Sequence, residues 1–110
     1  MSYRVVISDL AQRDVDGFYE YLRRYSESTA RKYVEAFYDA IERTIAVSPH
    51  SFSFFTELGA PYKAFLFSVF SVSRRTAFWI IYKVDEDIKE VRILRFWNAS
   101  REPGTHGLNE

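Results

Sequence analysis

Two strongly β-forming runs near the C-terminus, residues 76–84 and 90–98, constrain this chain more than any other feature. Both are rich in β-branched and aromatic residues, and the acidic triplet 85–87 between them is typical of a turn. The first run places Ile80 and Tyr82 on one parity and Trp79 and Ile81 on the other. Apolar residues on both parities predict a strand that is covered on both faces. We therefore expect a hairpin whose first strand is central in its sheet.

The other strand candidates are residues 3–7, which alternate, and residues 63–72, which carry apolar residues on both parities. Regular alternation in the last run divides its side chains between two faces. One face is expected to hold Val91, Ile93, Arg95 and Trp97, and the other Arg92, Leu94, Phe96 and Asn98.

Two amphipathic helices are predicted between the first and second strands. The first begins after Ser8 or Asp9, which can accept hydrogen bonds from free helical amides, and the second begins after the Ser26–Thr29 segment. Apolar stripes at steps of three and four comprise Ala11, Val15, Phe18, Leu22 and Tyr25, then Ala30, Val34, Phe37, Ile41 and Ile45. The second helix should end at Ser48-Pro49, and residues 50–61 read as a loop held by its phenylalanines.

The predicted fold class is therefore α+β, in the order β-α-α-β-β-β. A two-helix hairpin packs on one face of a small, largely antiparallel sheet, and the other sheet face is the natural working surface. Residues 1–103 are expected to form a single domain, followed by a polar tail at residues 104–110.

Composition excludes several classes of function. The 110 residues contain no cysteine and only two histidines, His50 and His106, which lie far apart, so neither a metal site nor a cofactor site is predicted. Equal numbers of acidic and basic residues, 15 each, give no net charge that would drive binding to nucleic acid. We expect no contact with a membrane and a cytoplasmic location. Aromatic residues reach 18%, which favours some exposed aromatic surface for a partner.

Cations and aromatic residues are interleaved around the predicted sheet. The cations are Arg74, Arg75, Lys83, Arg92, Arg95 and Arg101, and the aromatic residues are Trp79, Tyr82 and Trp97. Such a mixture suits a surface that binds phosphate or stacks bases, and it is equally compatible with ordinary solvated strand residues. Asn98 ends the last run, where an amide commonly bonds to backbone.

Several segments in fixed order resemble the RelE/ParE superfamily of toxins from type II toxin–antitoxin modules. They are the strand–helix–helix–three-strand order, the helix ending in VSP (47–49), the strand FWIIYKVDED (78–87) and the closing ILRFWNASREP (93–103). The resemblance covers about residues 3–103. It implies a small bacterial growth inhibitor of the plasmid-stabilisation type, bound in a hetero-oligomer by an antitoxin encoded next to it.

The superfamily contains two mechanisms, RNA cleavage and gyrase inhibition, and comparing residues at matching positions helps to choose between them. RelE-like members cut mRNA on the ribosome with clustered cations and a proton carrier; here that reading would use Lys63, Arg74, Arg75, Arg95 and Arg101. However, Trp79 stands where those nucleases carry arginine, and Asn98 stands where many carry histidine. Because an amide exchanges no proton near neutral pH, the chain looks closer to ParE-like members, which inhibit DNA gyrase without catalysis.

Three hypotheses follow from the resemblance. The first is a ParE-like gyrase inhibitor whose target-binding residues are Trp79, Tyr82, Lys83, Arg95, Trp97, Asn98 and Arg101. The second is a RelE-like ribosome-dependent endoribonuclease, and the third is a non-toxic domain that retains only antitoxin binding. In all three an antitoxin helix could use the outer side of the helical hairpin.

Overall fold

The computed structural model describes residues 2–52, 61–71 and 74–98, with the backbone alone for residues 69–71 and 74–76. Strand β1 (Arg4–Ile7) is followed by helix α1 (Asp9–Arg23) and helix α2 (Glu27–Ala40). A π-helical turn (Ile41–Ile45) extends α2, and a short 3-10 turn (Pro49–Ser51) follows. Strands β2 (Lys63–Ser71), β3 (Arg74–Asp85) and β4 (Glu90–Asn98) complete the fold. The predicted order of elements is confirmed.

The sheet has the strand order β1-β4-β3-β2, so β3 and β4 occupy its centre. Strands β2, β3 and β4 are antiparallel neighbours, whereas β1 pairs parallel to β4, with Arg4 opposite Glu90 and Ile7 opposite Ile93. The sheet is therefore mixed but largely antiparallel, as predicted. The chain's first strand lies beside its last.

Both helices begin where serine side chains accept amide hydrogen bonds. The Ser8 hydroxyl accepts from the Ala11 amide at 3.1 Å and donates to the Leu94 carbonyl at 2.9 Å, so it also ties α1 to β4. The Ser26 hydroxyl accepts from the Thr29 amide at 3.3 Å. Most members of the predicted stripes are buried, namely Ala11, Val15, Phe18 and Leu22 in α1, then Ala30, Phe37, Ile41 and Ile45. The helical hairpin thus packs its apolar side on the sheet.

A cluster of phenylalanines fills the space between helices and sheet. Phe96 stacks on Phe78 at 4.6 Å between ring centroids, and it meets Phe37 edge-on at 4.8 Å and Phe18 at 5.1 Å. Edge-to-face and offset contacts of this kind add to the stability gained from burial alone. Much of the unusual aromatic content therefore serves the core.

A β-bulge in β4 overturns the predicted alternation of that strand. Tyr82 pairs with Ile93, but Ile81 pairs with Arg95, so Leu94 is an extra residue. Val91, Ile93 and Phe96 consequently pack in the core below the helices, and Leu94 and Trp97 pack on the opposite side. The expected shared face of Ile93 and Trp97 is wrong because the bulge changes parity between them.

No helix within the described ranges is long and apolar enough to cross a membrane.

Candidate functional site

The side of the sheet opposite the helices, here called the outer face, has its own small apolar centre. Ile81 and Leu94 are fully buried there and are packed against by Tyr62, Ala64, Trp79 and Trp97. Lys83 and Arg92 also belong to the outer face, because each lies between two core-facing neighbours on its strand. Aromatic and basic side chains therefore share this face.

Two tryptophans lie at one end of the outer face. Trp79 on β3 stands directly opposite Trp97 on β4, and Leu66 on β2 stands opposite Trp79. Both indoles are partly exposed, and Leu66 is 47% exposed. Three large apolar side chains in one row across three strands form a flat, water-accessible area suited to a protein partner.

A basic row lies at the other end of the outer face. Lys83 stands opposite Arg92 in the β3–β4 ladder. The Glu90 carboxylate, only 4% exposed, accepts from the Arg4 guanidinium at 2.8 Å and from the Arg92 guanidinium at 3.1 Å. Hydrogen bonds from Arg4 and then Arg92 hold the pKa of Glu90 below its ordinary value. A cleft of about 550 Å³ opens beside this row.

Arg95 is held in a nearly buried ion pair. Its Nε and one terminal nitrogen donate to the two Asp14 oxygens at 2.7 and 2.9 Å, and its guanidinium lies 4.4 Å from the centre of the Trp97 ring. Asp14 also accepts from the Phe96 amide at 3.0 Å, at a point where β1 has ended and no other described strand pairs with that edge of β4. The Arg95 and Asp14 side chains are only 11% and 18% exposed. This geometry fixes the indole of Trp97 rather than presenting a mobile cation.

Tyr82 lies in the core and not on the outer face. Its side chain is fully buried, its hydroxyl donates to the Pro49 carbonyl at 2.7 Å, and burial raises its pKa. The expected target contact by Tyr82 is corrected accordingly. The reason is its parity, since Tyr82 alternates with Ile81 and Lys83 and shares the side of Ile80.

Lys63 is likewise unsuited to the nuclease role that the resemblance suggested. It is 8% exposed, it pairs with Tyr82 in the ladder, and its ammonium donates to the Phe52 carbonyl at 2.6 Å. The side chains of Arg74 and Arg75, and the whole of Arg101, lie outside the described residues. Asn98 is the last residue of β4, partly buried and opposite Phe78.

A polar network that the sequence analysis missed surrounds Glu86 in the β3–β4 turn. The Glu86 carboxylate accepts from the Tyr3 hydroxyl at 2.8 Å and from the Lys89 ammonium, and it bonds to His50 Nε2 at 2.6 Å. These hydrogen bonds, with Lys89 first, lower the pKa of Glu86 to about 2. Glu86 and Lys89 share one turn, but only the fold brings Tyr3 and His50 to them, so no local motif could have revealed the network. Neither this network nor any other group of the described residues forms a metal-binding cluster.

Comparison with known proteins identifies the family. The structure of the toxin–antitoxin complex RelBE2 from Mycobacterium tuberculosis contains a similar chain, with a TM-score of 0.57 and 19% identity over 89% of this chain and 99% of that one. That likeness shows a shared fold. No curated protein matches the sequence. The family model of the ParE toxin of the type II toxin–antitoxin system parDE matches residues 5–103, nearly the whole chain. The protein therefore belongs to the ParE toxin family of type II toxin–antitoxin systems.

Proposed function

We propose that this toxin acts by binding DNA gyrase through the outer face and that a cognate antitoxin neutralises it in a hetero-oligomer. The proposal rests on the burial of Arg95 and its ion pair with Asp14. This arginine is common to the nuclease and the target-binding hypotheses, yet Asp14 engages it at 2.7 and 2.9 Å and only 11% of its side chain is exposed. A nuclease needs cations that can reach a phosphate, whereas a protein inhibitor needs a rigid and partly apolar surface.

The remaining features of the outer face favour the same function. Trp79 and Trp97 stand opposite each other on β3 and β4, and Lys83 and Arg92 supply positive charge at the far end of the face. The sole histidine of the described residues, His50, bonds to Glu86 in the turn. A face with tryptophans at one end and cations at the other offers the aromatic and arginine residues that dominate protein interfaces.

A supercoiling assay tests the gyrase proposal. Purified toxin is titrated into gyrase with relaxed plasmid, and inhibition or trapped cleaved DNA is scored. Trp79→Ala should weaken inhibition about tenfold or more, since interface tryptophans are frequent anchors. Tyr25→Ala is the matched control, because it removes an aromatic ring that is 61% exposed on the helical side of the molecule. Unfolding curves of both variants establish that they are folded at the assay temperature.

Full gyrase activity at saturating wild-type toxin would reject this proposal. In that case the ends of cellular mRNA, mapped after induction, decide between the other hypotheses. New 5′ ends inside coding sequences would indicate the RelE-like ribonuclease. Induction without any growth defect would instead indicate a domain that retains only antitoxin binding.

A further inference from the structure

Asp14 links helix α1 to strand β4 through three hydrogen bonds. Its carboxylate accepts two from the Arg95 guanidinium, at 2.7 and 2.9 Å, and a third from the Phe96 amide at 3.0 Å. Only 18% of the Asp14 side chain and 11% of the Arg95 side chain are exposed. A two-point contact between guanidinium and carboxylate fixes the plane of the guanidinium as well as its position. Arg95 is therefore held in one orientation.

Arg95 in turn supports the indole of Trp97. The central carbon of its guanidinium lies 4.4 Å from the centre of the Trp97 ring, within the range of a cation–π contact. Both residues lie on the outer side of β4, because Arg95 pairs with Ile81 and Trp97 pairs with Trp79, and both partners belong to the outer face. The indole thus contacts a cation whose own orientation is set by a residue of α1.

The carboxylate of Asp14 is what makes this support rigid. An arginine side chain has many rotamers, and fixing one of them costs conformational entropy. The charge-assisted bonds to Asp14 offset that cost and compensate a charge that is nearly buried. The third bond reaches the backbone of Phe96, the residue between Arg95 and Trp97. One carboxylate therefore fixes both the cation below the indole and the strand that carries it.

We propose that Asp14 is a positioning residue of the outer face, which acts through Arg95 to fix the indole of Trp97 in the orientation that binds gyrase. The inference rests on the proposed function, because it names the residue that orients one of the target contacts. It assigns a role to a helix residue outside the set predicted to bind the target. It also changes the role of Arg95, which supports a target-binding residue and does not touch the target itself.

Fluorescence measures the orientation of Trp97 directly. The chain has two tryptophans, so Trp79→Phe leaves Trp97 as the single indole. In that background Asp14→Asn keeps the shape of the side chain but removes its charge. Loss of a cation–π contact should raise the ratio of free to held indole about two- to fivefold, so acrylamide quenching should increase and anisotropy should fall. Val15→Ala is the matched control, because it removes core packing at the adjacent residue of α1, and it should leave both quantities unchanged in the folded protein.

The supercoiling assay measures the effect on the target. Asp14→Asn should raise the toxin concentration that half-inhibits gyrase by the same factor of about two to five. In a chain that already carries Trp97→Ala, it should cause no further loss, because no indole remains to be positioned. A purely structural role would instead give losses that multiply. Arg95→Lys provides a second test should Asp14→Asn fail to fold, because lysine keeps the charge but lacks the planar two-point contact.

The outcomes separate this inference from the proposed function. If the wild type inhibits gyrase and Asp14→Asn inhibits it equally well, the inference is rejected although the proposed function stands. Losses that multiply between Asp14→Asn and Trp97→Ala also reject it, since Asp14 then acts on stability alone. If the wild type leaves gyrase fully active, the proposed function fails. The quenching comparison needs no gyrase, so in that case it still supports or rejects the positioning of Trp97 by Asp14.

Discussion

At the scale of single residues, carboxylates form tertiary hydrogen bonds that the sequence did not predict. Asp14 occupies the polar side of an amphipathic helix, which in sequence is typical of a solvated residue. In the fold it accepts from Arg95 and from the Phe96 amide, so it replaces a neighbouring strand where β1 has ended. Sequence reasoning could locate the helix but not this contact, because the partners are separated by about 80 residues and no local pattern links them.

Glu86 provides a residue-scale prediction about pH. Because Lys89, His50 and Tyr3 lower its pKa from 4.5 to about 2, ionised Glu86 stabilises the fold fully above pH 4.5, and this stabilisation is lost as the pH falls towards 2. Glu86→Gln should therefore unfold more easily than the wild type at pH 7, and the two unfolding midpoints should converge near pH 2. Thermal unfolding followed by circular dichroism across this range measures the difference.

Asp87→Asn is the control for that titration. It removes one negative charge from the same turn but leaves the hydrogen bonds of Glu86 intact. Its midpoint should stay close to that of the wild type at every pH. If the unfolding midpoints of Glu86→Gln and the wild type differ by the same amount at every pH, the Glu86 network has no role in acid stability. Glu90, whose pKa is also lowered, would then account for the acid response.

At the scale of elements, the sequence predicted β3 better than β4. Strict alternation puts Phe78, Ile80 and Tyr82 on one face, and in the structure all three face the core, including Tyr82, which was expected to contact the target. The β4 prediction fails after Ile93, because the bulge at Leu94 shifts Phe96 into the core. The signal was present as a three-residue step between the core residues Ile93 and Phe96, but isolated steps of this kind also occur in loops, so periodicity alone did not identify a bulge.

The bulge residue gives an element-scale prediction. Leu94 is fully buried on the outer face beside Ile81, so Leu94→Ala should lower the free energy of unfolding by about 2–5 kcal/mol through lost contacts and a cavity. Leu66→Ala is the matched control on the same face, where the leucine is 47% exposed, and it should cost less than about 1 kcal/mol. Urea titrations of both variants measure the costs. Equal costs would show that the outer face has no packed centre of its own.

At the scale of the whole molecule, the two strands that are farthest apart in the sequence, β1 and β4, are neighbours in the sheet. Strand β1 pairs parallel to β4 over four residues, and the Tyr3 amide donates to the Ala46 carbonyl at 2.8 Å. Both helices pack on a sheet whose strands β2 to β4 come after them in the chain. The helical hairpin therefore packs only on strands that are distant in sequence or come after it, and such long-range contacts slow folding.

Two truncations of equal length test this closure. A toxin lacking residues 1–7 loses β1 and leaves the Glu90 carboxylate without Arg4, while the half-buried Val5 and Ile7 no longer cover the core. Because domains are commonly stable by only about 5–15 kcal/mol, we expect no cooperative urea transition from this chain.

A toxin lacking residues 104–110, the polar tail outside the predicted domain 1–103, should have a free energy of unfolding within about 0.5 kcal/mol of that of the full chain. Closure by β1 is dispensable if the first truncation still unfolds cooperatively, and the predicted domain boundary is wrong if the second destabilises the fold.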